Sequence, residues 1–564
     1  MTRYIRWQIL LIILGGVLVG ILLMYLAANY TTVLRPGRGG TYVEGIAGSP
    51  HYLNPLLLNG YDGVDRDICA LLFSGLTRLN ERGEVEADLA RGWELSPDGL
   101  TYTFFLRSAY WHDGVPVTPA DVVFTIGLLQ DPDFPGSPGL GSSLWQAVTV
   151  EEAEGRQVRF TLSEPYAPFL DYTTVGILPA HLLRGIRAAD LPTAEFNFNP
   201  VGSGSFQLTE IQVEEDTITS MVLERFSRHY RSQPYLDRIQ FRFYPSYQTV
   251  FNAYEAGEVE GIAQITPANL PRARSFANLD IFSAQIAEYG LVFLNLRRPD
   301  LPFFQEPEVR QALMYALDRQ QIVDEALDGQ AVVTHSPFIP GTWAYKDDIV
   351  RYERNLDTAN ALLDQVGWAR SGADGGIRRR GGQRLAFTLI TSSEPERMEV
   401  AEMLVEQWAS VGVTVTLEIV SPLEVRGAVE ERNFEAILVH VALPGDPDPY
   451  PFWHETQIEN GQNYAGFVHR RASEVMEQAR ITADREIRQG LYDEFQEIFV
   501  QQAPALLLYV PVYSYGVDER IHDLQISPLM YPSDRFRTIS KWWLVPRRVF
   551  VSESEAGLRT ESQD

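Results

Sequence analysis

Apolar residues recur at helical spacing in the second half of the chain. Between Pro307 and Gly329 they stand three or four positions apart, which predicts a helix that begins at the proline and ends at the glycine. The same spacing predicts a helix capped by Asp357 and ended by Gly367, and another over roughly 394–410. Helices therefore occupy much of this half.

Alternating and β-branched residues predict strands in the same chain. Thr101–Leu106 and Ala386–Thr391 have strand composition, a hairpin turn is expected within 377–385, and Val413–Leu417 alternates between apolar and polar. A helix with a proline in its first position and a capping box is expected to begin at Thr118. The mixture of strands and helices predicts an α/β fold.

A longer apolar run stands at the N-terminus. Residues 9–28 carry no charge, are about long enough to cross a bilayer as a helix, and follow Arg3 and Arg6. We expect a retained signal anchor with one transmembrane helix and the main domain outside the cytoplasm, the alternative being cleavage within 26–29. Residues 35–40 predict a short flexible linker after the span.

Length and charge narrow the class of protein. The 564 residues exceed what one hydrophobic core organises, so at least two lobes are expected. The 74 acidic against 47 basic residues give a formal charge of −27, which repels a nucleic-acid backbone and excludes nucleic-acid binding. The single cysteine, Cys69, excludes a disulfide framework and is interpreted as a buried structural thiol.

The sequence lacks the common motifs of hydrolysis. Its nine histidines form no His-Glu-x-x-His pattern, and neither a Gly-x-Ser-x-Gly elbow nor a Walker loop occurs. Asp446 and Asp448 stand two positions apart in a proline turn, a poor arrangement for the opposed carboxyls of a glycosidase. We expect a binding protein rather than an enzyme, with neither a cofactor nor a metal.

Ordered motifs between about Gly48 and Tyr509 carry a family resemblance. The segments are Gly48–Pro55, Tyr102–Arg107, Trp111–Gly114, Thr118–Val122, Val309–Leu313 and Gly445–Pro449. In order, residue type and spacing they resemble the bacterial extracellular solute-binding proteins of the oligopeptide, dipeptide and nickel type. Many members carry a lipid-bearing cysteine after the apolar run. None stands there in this chain, so a protein span is expected to replace the lipid.

The resemblance implies a two-lobed α/β fold like that of type II periplasmic binding proteins, with an extra subdomain in the first lobe, behind the N-terminal transmembrane helix. The expected divisions are an N-terminus, span and linker over 1–39, a first lobe over 40–300 with its subdomain at about 80–200, a second lobe over 301–505, a return to the first lobe over 506–545, and a disordered tail over 546–564.

The same resemblance implies a function. A monomeric substrate-binding component of an ABC importer would capture oligopeptides between hinged lobes and deliver them to permease subunits driven by cytoplasmic ATPases. A different solute (a nickel chelate, an oligosaccharide or an opine) is an open alternative, as is a peptide sensor that does not transport. A surface hydrolase is the remaining alternative.

A peptide amine inside such a cleft requires an acidic partner. The resemblance places that acid at Asp446 or Asp448, with Asp446 preferred, while a simple proline turn explains both aspartates equally well. Tyr450 and Trp453 are candidates for aromatic walls, for which core packing is the competing explanation. Tyr52 and Trp145 are further wall candidates with the same competing explanation. No single arginine stands out as the partner of a ligand carboxylate.

Overall fold

The computed structural model describes residues 7, 13–25, 32–58, 63–135, 142–370, 376–443 and 445–550. Residues 13–25 are helical with exposed side chains. The other parts of the expected span, 9–12 and 26–28, lie outside the described residues, as does the alternative cleavage segment 26–29. Within the described ranges no helix is both long and apolar enough to cross a membrane.

Strands form one long mixed sheet and several small ones. In chain order they are β1 (Thr32–Gly37), β2 (Thr41–Ala47), β3 (Thr77–Leu79), β4 (Val85–Ala87), β5 (Ala90–Leu95), β6 (Thr101–Leu106), β7 (Val148–Ala153), β8 (Gln157–Leu162), β9 (Phe206–Glu214), β10 (Thr217–Arg225), β11 (Arg238–Tyr244), β12 (Gly261–Ile262), β13 (Leu279–Gln285), β14 (Glu288–Leu294), β15 (Ala331–Val333), β16 (Ala369–Arg370), β17 (Arg378–Arg380), β18 (Gln383–Arg384), β19 (Ala386–Ser392), β20 (Thr414–Val420), β21 (Ala436–Ala442), β22 (Ala505–Asp518) and β23 (Val545–Phe550). The long sheet has the order β20-β19-β21-β14-β22-β12-β2-β11-β10-β9, and β13 and β15 also pair with β22.

Helices cover the faces of this sheet. They are α1 (Gly63–Leu72), α2 (Pro119–Gln130), α3 (Ser142–Gln146), α4 (Phe169–Tyr172), α5 (Ala180–Leu183), α6 (Tyr247–Glu255), α7 (Leu270–Ala273), α8 (Pro307–Tyr315), α9 (Arg319–Ala326), α10 (Leu356–Gln365), α11 (Pro395–Ala409), α12 (Pro422–Glu430), α13 (Tyr450–Trp453), α14 (Gln457–Asn460), α15 (Arg470–Ile481) and α16 (Arg485–Gln502). Short 3-10 helices also occur, including Pro532–Lys541.

The first lobe contains strands from both ends of the chain. β2 pairs in parallel with β11 and β12, and β12 pairs with the second half of β22. A separate four-stranded sheet, β5-β6-β8-β7, forms a subdomain within the 80–200 range. One continuous apolar cluster joins the subdomain to the lobe, so the two share a core.

The second lobe is built on the other half of the long sheet. β19 pairs in parallel with β20 and β21, while β14 pairs antiparallel with β21 and β22. Two apolar clusters cover this half of the sheet. Its side chains therefore form cores separate from that of the first lobe.

Two strand segments pass from one lobe to the other. The apolar clusters change between Ile286 and Tyr289, and change back between Val510 and Tyr513. By this change of clusters the crossings lie near 287 and 511, while the expected lobe boundaries at 300 and 505 stay predictions. The lobes meet where β13 continues into β14 and where β22 runs past them.

The helix predictions are mostly confirmed, with one break. The helix over 395–409 is present, and the Asp121 carboxylate of α2 accepts the N–H of Thr118 at 2.7 Å. The single helix predicted from Pro307 to Gly329 is wrong. The first helix, α8, ends at Tyr315, and a second helix, α9, begins after Asp318. The N–H of Asp318 donates to the side chain of Gln407, and its carboxylate caps α9 by accepting the N–H of Gln321 at 3.0 Å.

Several boundaries differ from the predicted ones. The cap of α10 is Asn355, which accepts the N–H of Thr358 at 2.9 Å, rather than Asp357. Within 377–385, β17 and β18 form the predicted hairpin, and β19 follows. The expected linker at 35–40 and the start of the expected disordered tail are corrected, because β1 pairs antiparallel with β23. Residues 551–564 of that tail lie outside the described residues.

Candidate functional site

The two crossings are hydrogen-bonded to each other and form a hinge between the lobes. The N–H of Ile286 donates to the carbonyl oxygen of Pro511 at 3.1 Å, and the N–H of Ala287 donates to that of Leu529 at 2.6 Å. Ala287 also accepts the N–H of Leu443 at 2.8 Å, so the second lobe is bonded at the same point. Only short strand segments need to change their backbone angles for the lobes to move.

A hollow of about 240 Å³ lies on the first lobe, where β2 and β12 end and α1 begins. Its polar lining includes His51, Asp65, Asp67, Tyr247, Gln264 and Tyr513. The Tyr247 hydroxyl donates to Gln264 Oε1 at 2.8 Å. Carboxylates and hydroxyls at the ends of parallel strands favour a polar or cationic ligand group.

A buried ion network is attached to this hollow through Asp67, which lines it. Arg535 donates to both carboxylate oxygens of Asp67, at 2.8 and 2.6 Å, and to Glu44 Oε1. Arg535 and Glu44 are fully buried. Burial raises the pKa of Asp67, and the charge of Arg535 opposes that rise. The network therefore joins the C-terminal return segment to the floor of the first lobe.

In the second lobe, a polar group is formed by side chains of β14, β21 and β22. Glu288 Oε1 lies 2.7 Å from His440 Nδ1, and His440 Nε2 lies 2.9 Å from the Tyr509 hydroxyl. Burial would raise the pKa of Glu288, but the hydrogen bond and charge of His440 outweigh it and lower that pKa. Burial and the negative charges of Asp67 and Glu396 raise the pKa of Tyr247. Tyr247 of the first lobe therefore lies within electrostatic range of Glu396 of the second lobe.

The aspartate loop over 445–449 is held by two arginines of its own lobe. Arg488 donates to both oxygens of Asp446, at 2.9 and 2.5 Å, and donates to the Tyr492 hydroxyl at 2.7 Å. Arg480 donates to Asp448 Oδ2 at 2.8 Å. Both aspartates are buried, so each pair is shielded from water.

Arg480 also touches the first lobe. The N–H of Ala167 donates to the carbonyl oxygen of Arg480 at 2.7 Å, and the guanidinium donates to the Tyr166 hydroxyl at 3.3 Å. The same guanidinium lies 3.9 Å from the ring centre of Tyr450 and 5.0 Å from that of Tyr166. The lobes are thus closed on each other at the aspartate loop.

Asp171 of the first lobe lies where that lobe contacts the aspartate loop, so its carboxyl group faces those of the loop from the opposite lobe. A Cβ built on Gly445 would lie 2.6 Å from Asp171 Oδ1, so the carboxyl group abuts the loop. Burial, followed by the negative charge of Asp446, raises the pKa of Asp171 to about 8. An added cation between Asp171 and Asp446 would offset their repulsion and favour the ionised form of Asp171 despite its burial.

Some of the predicted site residues lie where the lobes meet, and others are buried in the core. Asp446, Asp448 and Tyr450 are brought together at the lobe contact. Trp453 and Trp145 are corrected: they are 1% and 0% exposed, and each packs inside an apolar cluster rather than lining a cleft.

Trp145 packs against Phe160 and Phe169, and Trp453 against Phe293 and Phe499. Tyr52 is 38% exposed beside the first-lobe hollow, and its N–H donates to Asp65 Oδ2 at 3.1 Å. It stays a candidate wall residue.

Sequence reasoning missed the residues contributed by the facing elements. Asp171 and Tyr166 lie in the subdomain, far in sequence from the aspartate loop, and carry no motif. Arg488 lies 42 positions after Asp446 in the sequence, and nothing in that spacing indicates that it binds Asp446. Among the described residues, no group of three or more metal-binding side chains comes together.

Comparison with known proteins gives consistent matches. The family model described as "Bacterial extracellular solute-binding proteins, family 5 Middle" matches residues 84–464. The chain is 29% identical over 522 residues to the oligopeptide-binding protein AppA of Bacillus subtilis, covering 90% of this chain and 92% of that protein. It is 25% identical over 536 residues to the dipeptide-binding protein of Escherichia coli, covering 90% and 96%.

The solved structure of AppA from Bacillus subtilis in complex with a nonapeptide is similar in fold. The TM-score is 0.71 at 28% sequence identity, covering 91% of this chain and all of that one. The likeness therefore extends over both lobes and the hinge.

Proposed function

The chain belongs to the bacterial extracellular solute-binding proteins of family 5, and from this membership we propose that it is the substrate-binding component of an ABC importer for oligopeptides. The peptide would be held between the two lobes and passed to a permease whose ATPases are separate subunits. The relatives named above are binding proteins, which supports a protein that binds its solute without changing it.

The observation that carries this proposal is the closed, acid-lined contact between lobes joined by two crossings. Asp171 comes from the first lobe, and Asp446 and Asp448 come from the second. A ligand that touches both lobes favours the closed state, because it gains contacts there that the open state lacks. Solute capture by lobe closure follows from this geometry.

We propose that the ligand's amino group lies between Asp171 and Asp446. The two carboxylates carry two negative charges when ionised, and Arg488 supplies one positive charge, so one ammonium group completes the balance. Arg488 occupies one hydrogen-bonding position on each oxygen of Asp446, and a carboxylate can accept at further positions. Asp448, held by Arg480, would shape the loop beside the amine.

Residues 9–28 are proposed to anchor the protein in the membrane, with the lobes on the extracytoplasmic side. The uncharged run has the length of a membrane-spanning helix, and two arginines precede it. The family's extracellular character supports the outward orientation. We propose that a single copy is the functional unit.

A thermal-shift screen of the full chain in detergent tests the proposed function. The ligands would be mixed di- to nonapeptides, oligosaccharides, opines and nickel chelates, each at several concentrations. Binding to the folded state raises the melting temperature by mass action, so peptides should raise it in a concentration-dependent manner. N-acetylated copies of the same peptides are the matched control and should raise it less.

Stabilisation by a sugar, an opine or a chelate, with none by peptides, would contradict the peptide assignment while keeping the family. Cleavage of the peptides during the assay would contradict a binding role and favour a hydrolase.

A further inference from the structure

A second hollow, of about 570 Å³, lies on the four-stranded sheet of the subdomain. Phe105 of β6 and its partner Gln157 of β8 line it. Side chains on the opposite face of this sheet are buried, and there Phe160 of β8 packs against Phe169 of α4, the helix that contains Asp171. The sheet therefore separates this hollow from the lobe contact at Asp171.

Three arginines from three separate segments line this second hollow, which we call the arginine hollow. They are Arg91 of β5, Arg107 directly after β6, and Arg156 in the turn before β8. Within the described part of the chain none of the three forms an ion pair, and no acid is among the lining residues. The whole chain has a formal charge of −27, so this concentration of positive charge runs against its composition.

Backbone carbonyl oxygens hold two of these arginines in place without neutralising their charge. Arg107 Nε donates to the carbonyl oxygen of Asp88 at 2.8 Å, and Arg156 Nη2 donates to those of Arg107 and Val117 at 2.6 and 2.8 Å. Arg156 Nε is buried and has no hydrogen-bond partner among the described residues. Each guanidinium has five N–H groups, so these contacts leave several on each arginine for a ligand.

The acids near the arginine hollow do not cancel its charge. Asp88 lies beside the lining residue Tyr230, and its Oδ1 accepts the Tyr230 hydroxyl at 2.9 Å and Arg231 Nη1 at 3.2 Å. Glu94 and Glu154 are exposed on neighbouring segments, and neither lines the hollow. Since Arg231 balances Asp88, the three lining arginines exceed these two glutamates even when both are counted.

We propose that the arginine hollow binds a small soluble phosphate ester. A guanidinium donates two parallel hydrogen bonds to a pair of phosphate or carboxylate oxygens. Three guanidiniums from separate segments suit a tetrahedral phosphate with three free oxygens better than a planar carboxylate with two. The guanidinium of Arg91 lies 5.6 Å from the ring centre of Phe105, so an aromatic surface for the organic part lies beside the charge.

The size of the arginine hollow agrees with such a ligand. A volume of about 570 Å³ lies within the usual range of small-molecule sites. Because the sheet stands between this hollow and the lobe contact, the phosphate would be a second ligand rather than part of the captured solute. The inference goes beyond the proposed function and does not depend on it.

Equilibrium dialysis of pyrophosphate and glycerol 3-phosphate against the full chain in detergent tests the proposal. The buffer contains about 0.15 M sodium chloride, in which charges on the open surface are screened over about 8 Å. Pyrophosphate should bind with one molecule per chain, glycerol 3-phosphate should compete with it, and citrate should bind more weakly than either.

Substitutions in and beside the arginine hollow give the magnitude. R91Q removes an exposed guanidinium and should weaken pyrophosphate binding by about tenfold, the loss typical of a hydrogen bond to a charged group. S108D places a carboxylate at an exposed lining position and should weaken binding at least as much. The matched control R159Q removes the same charge from β8, where Arg159 pairs with Glu151 outside the hollow, and should change binding by less than about twofold.

No binding of pyrophosphate at millimolar concentration, or equal weakening in R159Q, would overturn the proposal. Tighter binding of citrate or of tetraglutamate than of pyrophosphate would indicate a carboxylate ligand and would also overturn it. Peptide binding in the same dialysis should be unchanged in R91Q and S108D, and its loss there would overturn the assignment of a separate site. Failure of the unsubstituted chain to bind any peptide would reject the proposed function, whereas pyrophosphate binding would still support the arginine hollow.

Discussion

Replacing Asp171 with asparagine keeps the shape of this side chain and removes its negative charge. In the closed protein the carboxyl group abuts the aspartate loop, and burial together with the charge of Asp446 raises its pKa to about 8. At neutral pH the empty site therefore holds this acid mostly protonated. A ligand ammonium group at the proposed position would favour the ionised form and release the proton.

The magnitude follows from two opposing terms. A hydrogen bond between charged partners contributes about 1.5–3 kcal/mol. Ionising an acid of pKa about 8 requires about 1.4 kcal/mol at pH 7 and about 2.7 kcal/mol at pH 6. Affinity for the peptide's ammonium group should therefore rise by up to about tenfold between pH 6 and 7. The rise should level off towards pH 8, where Asp171 is already about half ionised and the peptide amine begins to lose its own proton. D171N should bind about ten- to hundredfold more weakly at pH 8, with little difference at pH 6.

Calorimetric titration of the full chain measures both quantities. Titrations at pH 7 in two buffers of different ionisation enthalpy report proton release, which should be roughly half a proton or more per peptide in the unsubstituted protein and close to zero in D171N. D190N, which alters an exposed aspartate of the same subdomain, is the matched control and should leave both values unchanged. Equal affinity of D171N and the unsubstituted protein at pH 8, with equal proton release, would refute the proposed amine position.

Three further predictions address the closed structure. R488M leaves Asp446 buried without its partner and should lower the free energy of unfolding, measured in denaturant titrations, by about 3–5 kcal/mol. The double variant D446N/R488M should recover part of this loss. A loss below about 1 kcal/mol in R488M would contradict the burial of the pair. R480Q removes the arginine that bridges the lobes, so small-angle X-ray scattering should give a larger radius of gyration without ligand, and an unchanged value would contradict the bridge. G202A would place its Cβ 1.8 Å from a carbonyl oxygen of α1 and should lower the melting temperature clearly, whereas G92A, with open space around it, should not.

Local signals predicted much of the fold. The helix over 395–409 and strand β6 have regular apolar spacing, and the Thr118 cap has its proline and acid at fixed offsets, so neighbouring residues determine them. The break at Asp318 was not predicted, because it depends on Gln407 from a distant helix, which accepts the Asp318 N–H. The β1–β23 ribbon likewise pairs segments from opposite ends of the chain.

In the candidate site, too, contacts between residues distant in sequence could not be predicted. Proline spacing and family motifs located Asp446 and Asp448, but not the arginines that hold them or the Asp171 carboxyl that faces them. Trp145 and Trp453 have the residue type of a cleft wall, and only tertiary packing shows that they are buried in the core. Which side of a sheet or loop faces a cleft is decided by contacts between lobes, and these leave no pattern along one chain.

The most direct test of solute capture between the lobes is photo-crosslinking of the full chain with a peptide that carries a benzophenone side chain, followed by mass spectrometry of the products. Capture between the lobes predicts crosslinks on both walls, near Tyr247 in the first lobe and near Tyr509 in the second, each suppressed by unlabelled peptide. Crosslinks confined to the outer surface of one lobe, or crosslinks that unlabelled peptide does not suppress, would contradict it.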